Sequence, residues 1–307
     1  MRKHLLFCLT VCFILLVPGS LRAAGIAVLA HADITPYRMA IAAFREQLNL
    51  PVHEYYLGAN NEFQAKVKTR ILQQEPELIF ALGKSALNFS RKMNSSVPVV
   101  FSFVLYPKGK YMQQREAGIA MSIAAEQQFK MLLDVAPEMH NVGVVYNPNK
   151  SGDIIRQAKY AALKLGITLV AMPASNQQEA AHAIADLMPD IDAMWMIPDT
   201  TVLTSTTFKQ MMRLSLVHAV ALIGLAPKHV RAGSLFCLSF DNHALGLQAG
   251  HMAKRMLQGK KLPKLVSPDV VRLVINHQAA NRLGLHLPTL LLEKAAHVYP
   301  EKNRRNK

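Results

Sequence analysis

The sequence predicts an α/β protein built of parallel sheets in two lobes around a cleft. Three observations carry that prediction. From Val142 to Asp199 short apolar runs alternate with helical stretches, reading VGVVYNP, NKSGDIIRQAKYAALKLG, ITLVAMP, ASNQQEAAHAIADLMPD and IDAMWMIPD. Runs that are apolar on both faces suit strands buried in a parallel sheet, and strand, helix, strand is the parallel crossover unit. The same alternation fills residues 26–104, and the last third adds a few strands that connect the two halves. Ligands of such sheets sit outside the carboxyl ends of the strands. Asn147-Pro148 and Pro198-Asp199 close two of the runs, so Asn147 and Asp199 fall where a ligand would sit.

Taken in order, Ile26–Ala30 reads as a strand ending at His31-Ala32-Asp33, and Tyr37 to Leu48 as a helix with Ala40, Ile41, Phe44 and Leu48 at helical spacing. Val52–Tyr56 is a second strand. Asn60 to Gln74 is helical, with Phe63, Val67, Ile71 and Leu72 on one side. Leu78–Leu82 is a strand ending at Gly83-Lys84-Ser85, and Val97–Val104 is another, with Phe101-Ser102 near its end. Ile119–Ile123 opens the second half. Ala125 to Ala136 follows as a helix stopped by Pro137. In the next helix Ile154, Ile155, Ala158, Ala161, Ala162 and Leu165 form the apolar stripe, with Ser151 as the expected cap and Gly166 as the stop. Ser175 to Gln178 resembles a capping box before Ala180, Ala181, Ile184 and Met188. Phe208, Met211, Met212 and Ser215 continue the helical pattern, and Ala219–Ile223 is a strand. Leu235–Phe240 and Val270–Ile275 are strands around a helix from Asp241 to Leu257. Asn276 to Leu283 and Pro288 to His297 are expected to be helical.

The beginning of the chain has the layout of a secretory signal peptide: Arg2, Lys3 and His4, an apolar run from Leu5 to Val17, a break at Pro18-Gly19-Ser20, and a small residue at Ala23. The run is shorter than the roughly 20 residues a membrane helix needs. Removal of residues 1–23 would leave 284 of the 307 residues, ample for one large or two ordinary domains. It would also take Cys8 and Cys12, leaving Cys237 alone in LFCLSF, where a buried, small apolar role is expected. The formal charge would fall from +15 to +12, because Arg2, Lys3 and Arg22 leave with the leader. A basic chain is compatible with an anionic ligand, and secretion argues against nucleic acid. Lys302, Arg304, Arg305 and Lys307 read as a solvated tail.

Several chemistries are disfavoured by spacing. Gly83-Lys84-Ser85 follows a strand as a phosphate loop would, but that motif needs a second glycine at position 78, which is Leu78. The twelve histidines show no H-E-x-x-H pair and lack cysteine partners, so no metal is expected. No G-x-S-x-G elbow occurs. Met194, Trp195 and Met196 read as strand packing, with Trp195 a natural fluorescence reporter.

Gly118-Ile119, MLLDVAPE (131–138), VGVVYNP (142–148), LGITLV (165–170), VRAGSLF (230–236), LGLQAGHMAKRMLQG (245–259) and LVINHQAANRLGLHLP (273–288) together resemble ABC-transporter substrate-binding proteins of the tryptophan/tyrosine type. The likeness covers nearly all of the chain beyond its leader. It implies a type I periplasmic-binding-protein fold: two Rossmann-like lobes joined by three crossovers, near Gly118–Ser122, Cys237–Asp241 and Lys264–Val270. The expected division is 24–121 plus 239–266 for one lobe, 122–238 plus 267–300 for the other, and 301–307 as a tail.

The resemblance also implies ligand groups on the loops after strands. Asp199 would pair with a ligand ammonium or cap the following helix. Asn147 offers an amide. Gly83 and Ser85 stand where helix-start N–H groups hold a carboxylate. Ser102, His31 and Asp33 lie at strand ends, and Phe240 and Asp241 at the second crossover. Tyr106-Pro107 replaces the family's usual Asp-Pro, and the first loop, HADITPY, is not the commonest form. The implied function is capture of a small organic, amino-acid-like ligand, aromatic ones included, for an inner-membrane ABC permease. The implied protein is a periplasmic monomer without cofactor or enzymatic activity. A sensor presenting its ligand to a membrane receptor or kinase is the alternative.

Overall fold

The structure, a computed structural model, describes residues 25–58, 60–93, 96–105 and 112–301. The expected leader (1–23), Tyr106-Pro107 and the basic residues from Lys302 lie outside the described residues.

Among the described residues the strands form two sheets. The first contains β1 (Ile26–Ala30), β2 (Val52–Tyr56), β3 (Leu78–Leu82), β4 (Val99–Val104), β5 (Glu116–Ala120) and β11 (Leu265–Val266). Its order is β11-β5-β4-β3-β1-β2, and all its pairs are parallel. β1 and β3 are buried along their whole length, as strands covered on both faces must be. One face is covered by α1 (Thr35–Glu46) and α9 (Asn242–Leu257), which bury Ile41, Phe44, Leu245 and Ala249 against Val28, Phe80 and Val100. Phe44 stacks on Phe80 with ring centroids 4.3 Å apart. The two helices approach closely because residue 246 is glycine: a Cβ there would stand 2.1 Å from the Ala40 carbonyl oxygen. The other face is covered by α2 (Asn61–Gln73) and α3 (Lys84–Lys92), with Ile71, Leu87 and Phe89 on Leu29, Ile79 and Phe101. Each fully buried apolar side chain contributes about 1.5–3 kcal/mol.

The second sheet contains β6 (Asn141–Tyr146), β7 (Thr168–Pro173), β8 (Ala193–Trp195), β9 (Ala221–Ile223), β10 (Phe236–Phe240), β12 (Val271–Asn276) and β13 (His297–Tyr299). Its order is β13-β12-β10-β9-β8-β6-β7, parallel except for the β10–β12 pair. α4 (Ala125–Val135), α5 (Pro148–Lys164) and α10 (His277–Arg282) cover one face through Phe129, Ile155 and Ala280. α6 (Gln177–Leu187) and α7 (Ser205–His218) cover the other through Ile184, Met211 and Leu214. α8 (Pro227–Ala232) and α11 (Thr289–Lys294) complete the set.

Among the described residues the chain passes between the sheets three times: after β5, after β10, and between β11 and β12. This explains the antiparallel pair. β10 leaves its sheet at its carboxyl end, and the chain returns to the same edge from the other sheet, so β12 runs the opposite way. Ser239 and Phe240, assigned to the first lobe from sequence, still pair with Arg272 and Val271 in the second sheet.

Some local expectations are corrected. α5 starts at Pro148 with Asn147 as its cap, not at Ser151, which is buried in the helix. Proline at the first helical position loses no bond, since that N–H has no partner in the helix anyway. The α6 box closes one residue further out than expected: Asn176 accepts from Glu179 N, while Glu179 Oε2 accepts from Ser175 N. The last helix ends at Lys294, and His297–Tyr299 becomes an edge strand beside β12. α8 has no counterpart in the sequence reading, and of α3 only the start at Gly83–Ser85 was expected. Among the described residues no helix is long and apolar enough to cross a membrane.

Candidate ligand-binding site

The first crossover leaves the carboxyl end of β5 and the second leaves that of β10. Parallel neighbours share those directions, so the loops after β1, β3, β6 and β8 all lie on the hinge side of their sheets. This is where a ligand held between such sheets would touch them.

In the second sheet the structure brings Asn147 and Asp199 together. Asp199 is 1% exposed. Its Oδ2 accepts from Asn147 N and Ser151 Oγ, each at 2.7 Å, and its Oδ1 accepts from Thr201 N at 2.9 Å. The Asn147 side chain accepts from Asn149 N at 2.9 Å and donates to Thr201 Oγ1 at 3.1 Å and to the Ser175 carbonyl at 3.4 Å. The loops after β6, β7 and β8 are thereby tied to one another. Asp199 does not cap α7: Thr204 does, in a reciprocal box with Thr207. Internal donors thus hold both carboxylate oxygens, two on Oδ2 and one on Oδ1. Sequence separations of 48–52 residues hid these contacts from the sequence reading.

In the first sheet, Gly83 has φ +87° and caps α3. Its N–H donates to the Ser102 carbonyl at 2.9 Å. A Cβ at Gly83 would stand 2.6 Å from the Tyr37 hydroxyl, so glycine is required both for the dihedral and for that approach. Tyr37 lies 3.4 Å from His31 Nδ1 and packs edge-on against Phe103. Burial pushes the Tyr37 phenol above its usual range. Ser102 is fully buried, and its hydroxyl has no hydrogen-bond partner among the described residues. Asp33 stands apart in an exposed ion pair with Arg38 at 2.8 Å.

His31 and Ser85 meet across a pocket of about 450 Å3. Its remaining wall comes from Leu57, Gly58, Gln64, Asn88, Phe89 and Lys92, none of which was singled out from sequence. The signal was available: Ser85, Asn88, Phe89 and Lys92 are spaced i, i+3, i+4 and i+7 on α3. A smaller cavity of about 150 Å3 lies at the opposite, amino-terminal end of the sheet beside Arg91, Arg115 and Glu116. There Glu116 is held by both Arg91 Nε (2.7 Å) and Nη2 (2.6 Å). That cavity is remote from the strand ends where a ligand would bind.

Phe240 and Asp241 lie at the second crossover. Phe240 packs on the first-sheet core from the end of β10. Asp241 caps α9 through Ala244 N at 3.0 Å and holds Arg272 of β12 at 2.6–2.7 Å. Burial alone would raise the Asp241 carboxyl. The Ala244 N–H, the Arg272 guanidinium and the His243 N–H outweigh it and hold the group below its usual range. Among the described residues no three His, Cys, Asp or Glu side chains gather as a metal site requires.

Parallel sheets with helices on both faces, three connections between them and site loops on the hinge side define a type I periplasmic-binding-protein fold. Residues 54–299 match the family of ABC transporter substrate binding proteins, and the chain belongs to that family. It is a binding protein and not an enzyme. The tyrosine-binding protein of Clostridioides difficile (strain R20291) is 19% identical over 237 residues, 71% of this chain; the match spans 66% of that relative, just under two thirds. Among solved structures, the ligand-free, open form of a substrate-binding protein with adhesive properties from Clostridium difficile is 18% identical, with a TM-score of 0.71. An ABC domain from Streptococcus pneumonia in complex with L-Trp is 19% identical, with a TM-score of 0.57. Each of these two covers 90% of this chain and 99% of its own.

Proposed function

We propose that this chain captures a small, amino-acid-like organic molecule between its two sheets, outside the cytoplasm, and passes it to an inner-membrane ABC permease. The observation that supports this most is directional: the carboxyl ends of the parallel strands in both sheets face the connections that join them. The names of the relatives, a tyrosine-binding protein and an L-Trp complex, support an amino-acid-like ligand. In this reading residues 1–23 are a cleaved leader and the mature protein is a periplasmic monomer that binds no nucleic acid. The lobes divide as the sequence indicates, except that the second boundary falls at Asp241. His31, Gly83, Ser85 and Ser102 form the first lobe's contribution. Asn147 and Asp199 shape the second lobe's loops from beneath.

Binding works by differential affinity: a ligand that touches both lobes favours the closed arrangement. The test is a thermal-shift screen of the twenty amino acids and small carboxylates, followed by small-angle scattering with any ligand found. A ligand present at a hundred times its Kd should add about 2.7 kcal/mol of stability and shrink the radius of gyration. An unchanged melting temperature across the panel, or superimposable scattering with a saturating ligand, would refute the reading.

A further inference from the structure

We infer that the pocket on the first sheet is the receptor for the anionic end of an organic acid, and that an amino group on the ligand is dispensable. This deepens the proposed binding role and rests on it.

The pocket has one wall along a single face of α3, where Ser85, Asn88 and Lys92 project at helical spacing. Its apolar part is Leu57 and Phe89, both buried. The polar side chains in its lining are serine, glutamine, asparagine, histidine and lysine, with no carboxylate among them. They offer donors to a carboxylate, while the apolar part suits a ring or alkyl body. A volume of about 450 Å3 admits a molecule of that size.

The charge points the same way. Among the described residues the Lys92 ammonium has no ion pair, whereas its neighbour Arg91 is neutralised by Glu116. Asp33, Asp199 and Asp241 lie at the strand ends, and each is already engaged: Asp33 with Arg38, Asp241 with Arg272, and Asp199 with internal N–H and O–H donors. Each of these three already has a partner, while the pocket offers an unmatched cation. Lys92 is exposed, so water moderates the pull of its ammonium on a carboxylate.

The experiment is titration calorimetry on the mature protein with four probes that share a phenyl ring: hydrocinnamate, its neutral amide, L-phenylalanine and phenethylamine. Hydrocinnamate should bind at least as tightly as L-phenylalanine, and phenethylamine should not bind. Lys92→Gln should weaken hydrocinnamate about two- to five-fold, the scale of an exposed ion pair. It should leave the amide unchanged, and Lys92→Arg should retain most of the affinity. Because Lys92 is exposed, the unliganded melting temperature should match wild type. Tighter binding of phenethylamine than hydrocinnamate, or equal hydrocinnamate affinity in wild type and K92Q, overturns the inference and leaves the solute-binding reading standing. L-phenylalanine bound without hydrocinnamate does the same. If neither these probes nor any amino acid binds either protein, both readings fall.

Discussion

Replacing Asp199 by alanine separates two roles that a buried aspartate at a strand end can have. The side chain accepts from Asn147 N, Ser151 Oγ and Thr201 N at 2.7–2.9 Å and is 1% exposed. Hydrogen bonds to a charged group are worth about 1.5–3 kcal/mol each. Their sum overstates the loss, because desolvation of the carboxylate is recovered on truncation. Removing one partner from a buried charged network costs about 3–5 kcal/mol, and we expect the low end, about 3 kcal/mol, for Asp199→Ala. For a chain of this size that lowers the melting temperature by about 6–12 °C. Asp199→Asn should fall between, because its amide nitrogen would confront at least one N–H donor. Trp195 is buried on β8, four residues before Asp199, so its emission reports unfolding of the second sheet locally. Urea titration of the unliganded protein is the assay. A ligand counter-ion would leave unliganded stability nearly intact and lower affinity. Unliganded stability within about 0.5 kcal/mol of wild type, the ordinary surface range, would therefore refute the clamp.

Other expectations follow from single contacts. Gly246→Val should force α9 away from the Ala40 carbonyl, a 2.1 Å approach even for a Cβ alone; overpacking of this kind costs about 1–3 kcal/mol or more, readable as a lower urea midpoint. Asp241 is held below its usual range against the pull of its own burial, so its stabilising contribution is present above about pH 4 and is lost as pH falls through its folded value. Arg272→Ala should flatten that acid limb. His229 is held down first by burial and then by the Lys228 charge, and its neutral Nδ1 accepts from Leu225 N at 3.2 Å. Stability tied to it is complete above about pH 6.5 and declines below, and His229→Gln should remove that slope in pH-dependent melting. Burial pushes the Cys237 thiol up to about 12, so a thiol reagent at neutral pH should label it in urea and not in the folded protein.

The fold was legible because its strands are sandwiched. IAVLA, LIFAL and VGVV (142–145) are apolar through and through, and such runs between helical stripes have few alternative readings. Elements without a long pattern were missed or only begun: α3 is nine residues with a lysine at each end and was expected only at its start, and β13 is three residues long. Seeing only the start of α3 also hid the pocket, since Ser85 was visible there while Asn88 and Lys92 acquire meaning as its helical neighbours. Asp199 was found for its position, but its internal partners were not. A strand-end position is a local property of the sequence, but occupation of its oxygens depends on Asn147 and Ser151, which the sheet alone brings near.

The same long-range contacts fix where the molecule can bend. At the first crossover, Met121 N donates to the Val104 carbonyl of the first sheet. Two residues on, the Ile123 carbonyl is held by Gln128, whose Oε1 accepts from Trp195 Nε1 of the second sheet at 2.9 Å. Ser122 alone stands between these attachments. At the third crossover Gln248 of α9 grips the Ser267 carbonyl at 2.9 Å and Asp269 N at 3.1 Å, while Val271 already pairs with Phe240. That leaves Val270. At the second crossover Asp241 follows directly on β10, caps α9 and holds Arg272. Any rotation of one sheet against the other must therefore be absorbed at Ser122, Asp241 and Val270. Of these, Asp241 also carries an ion pair across the bend, so closure cannot change the angle there without moving the Arg272 guanidinium that β12 holds.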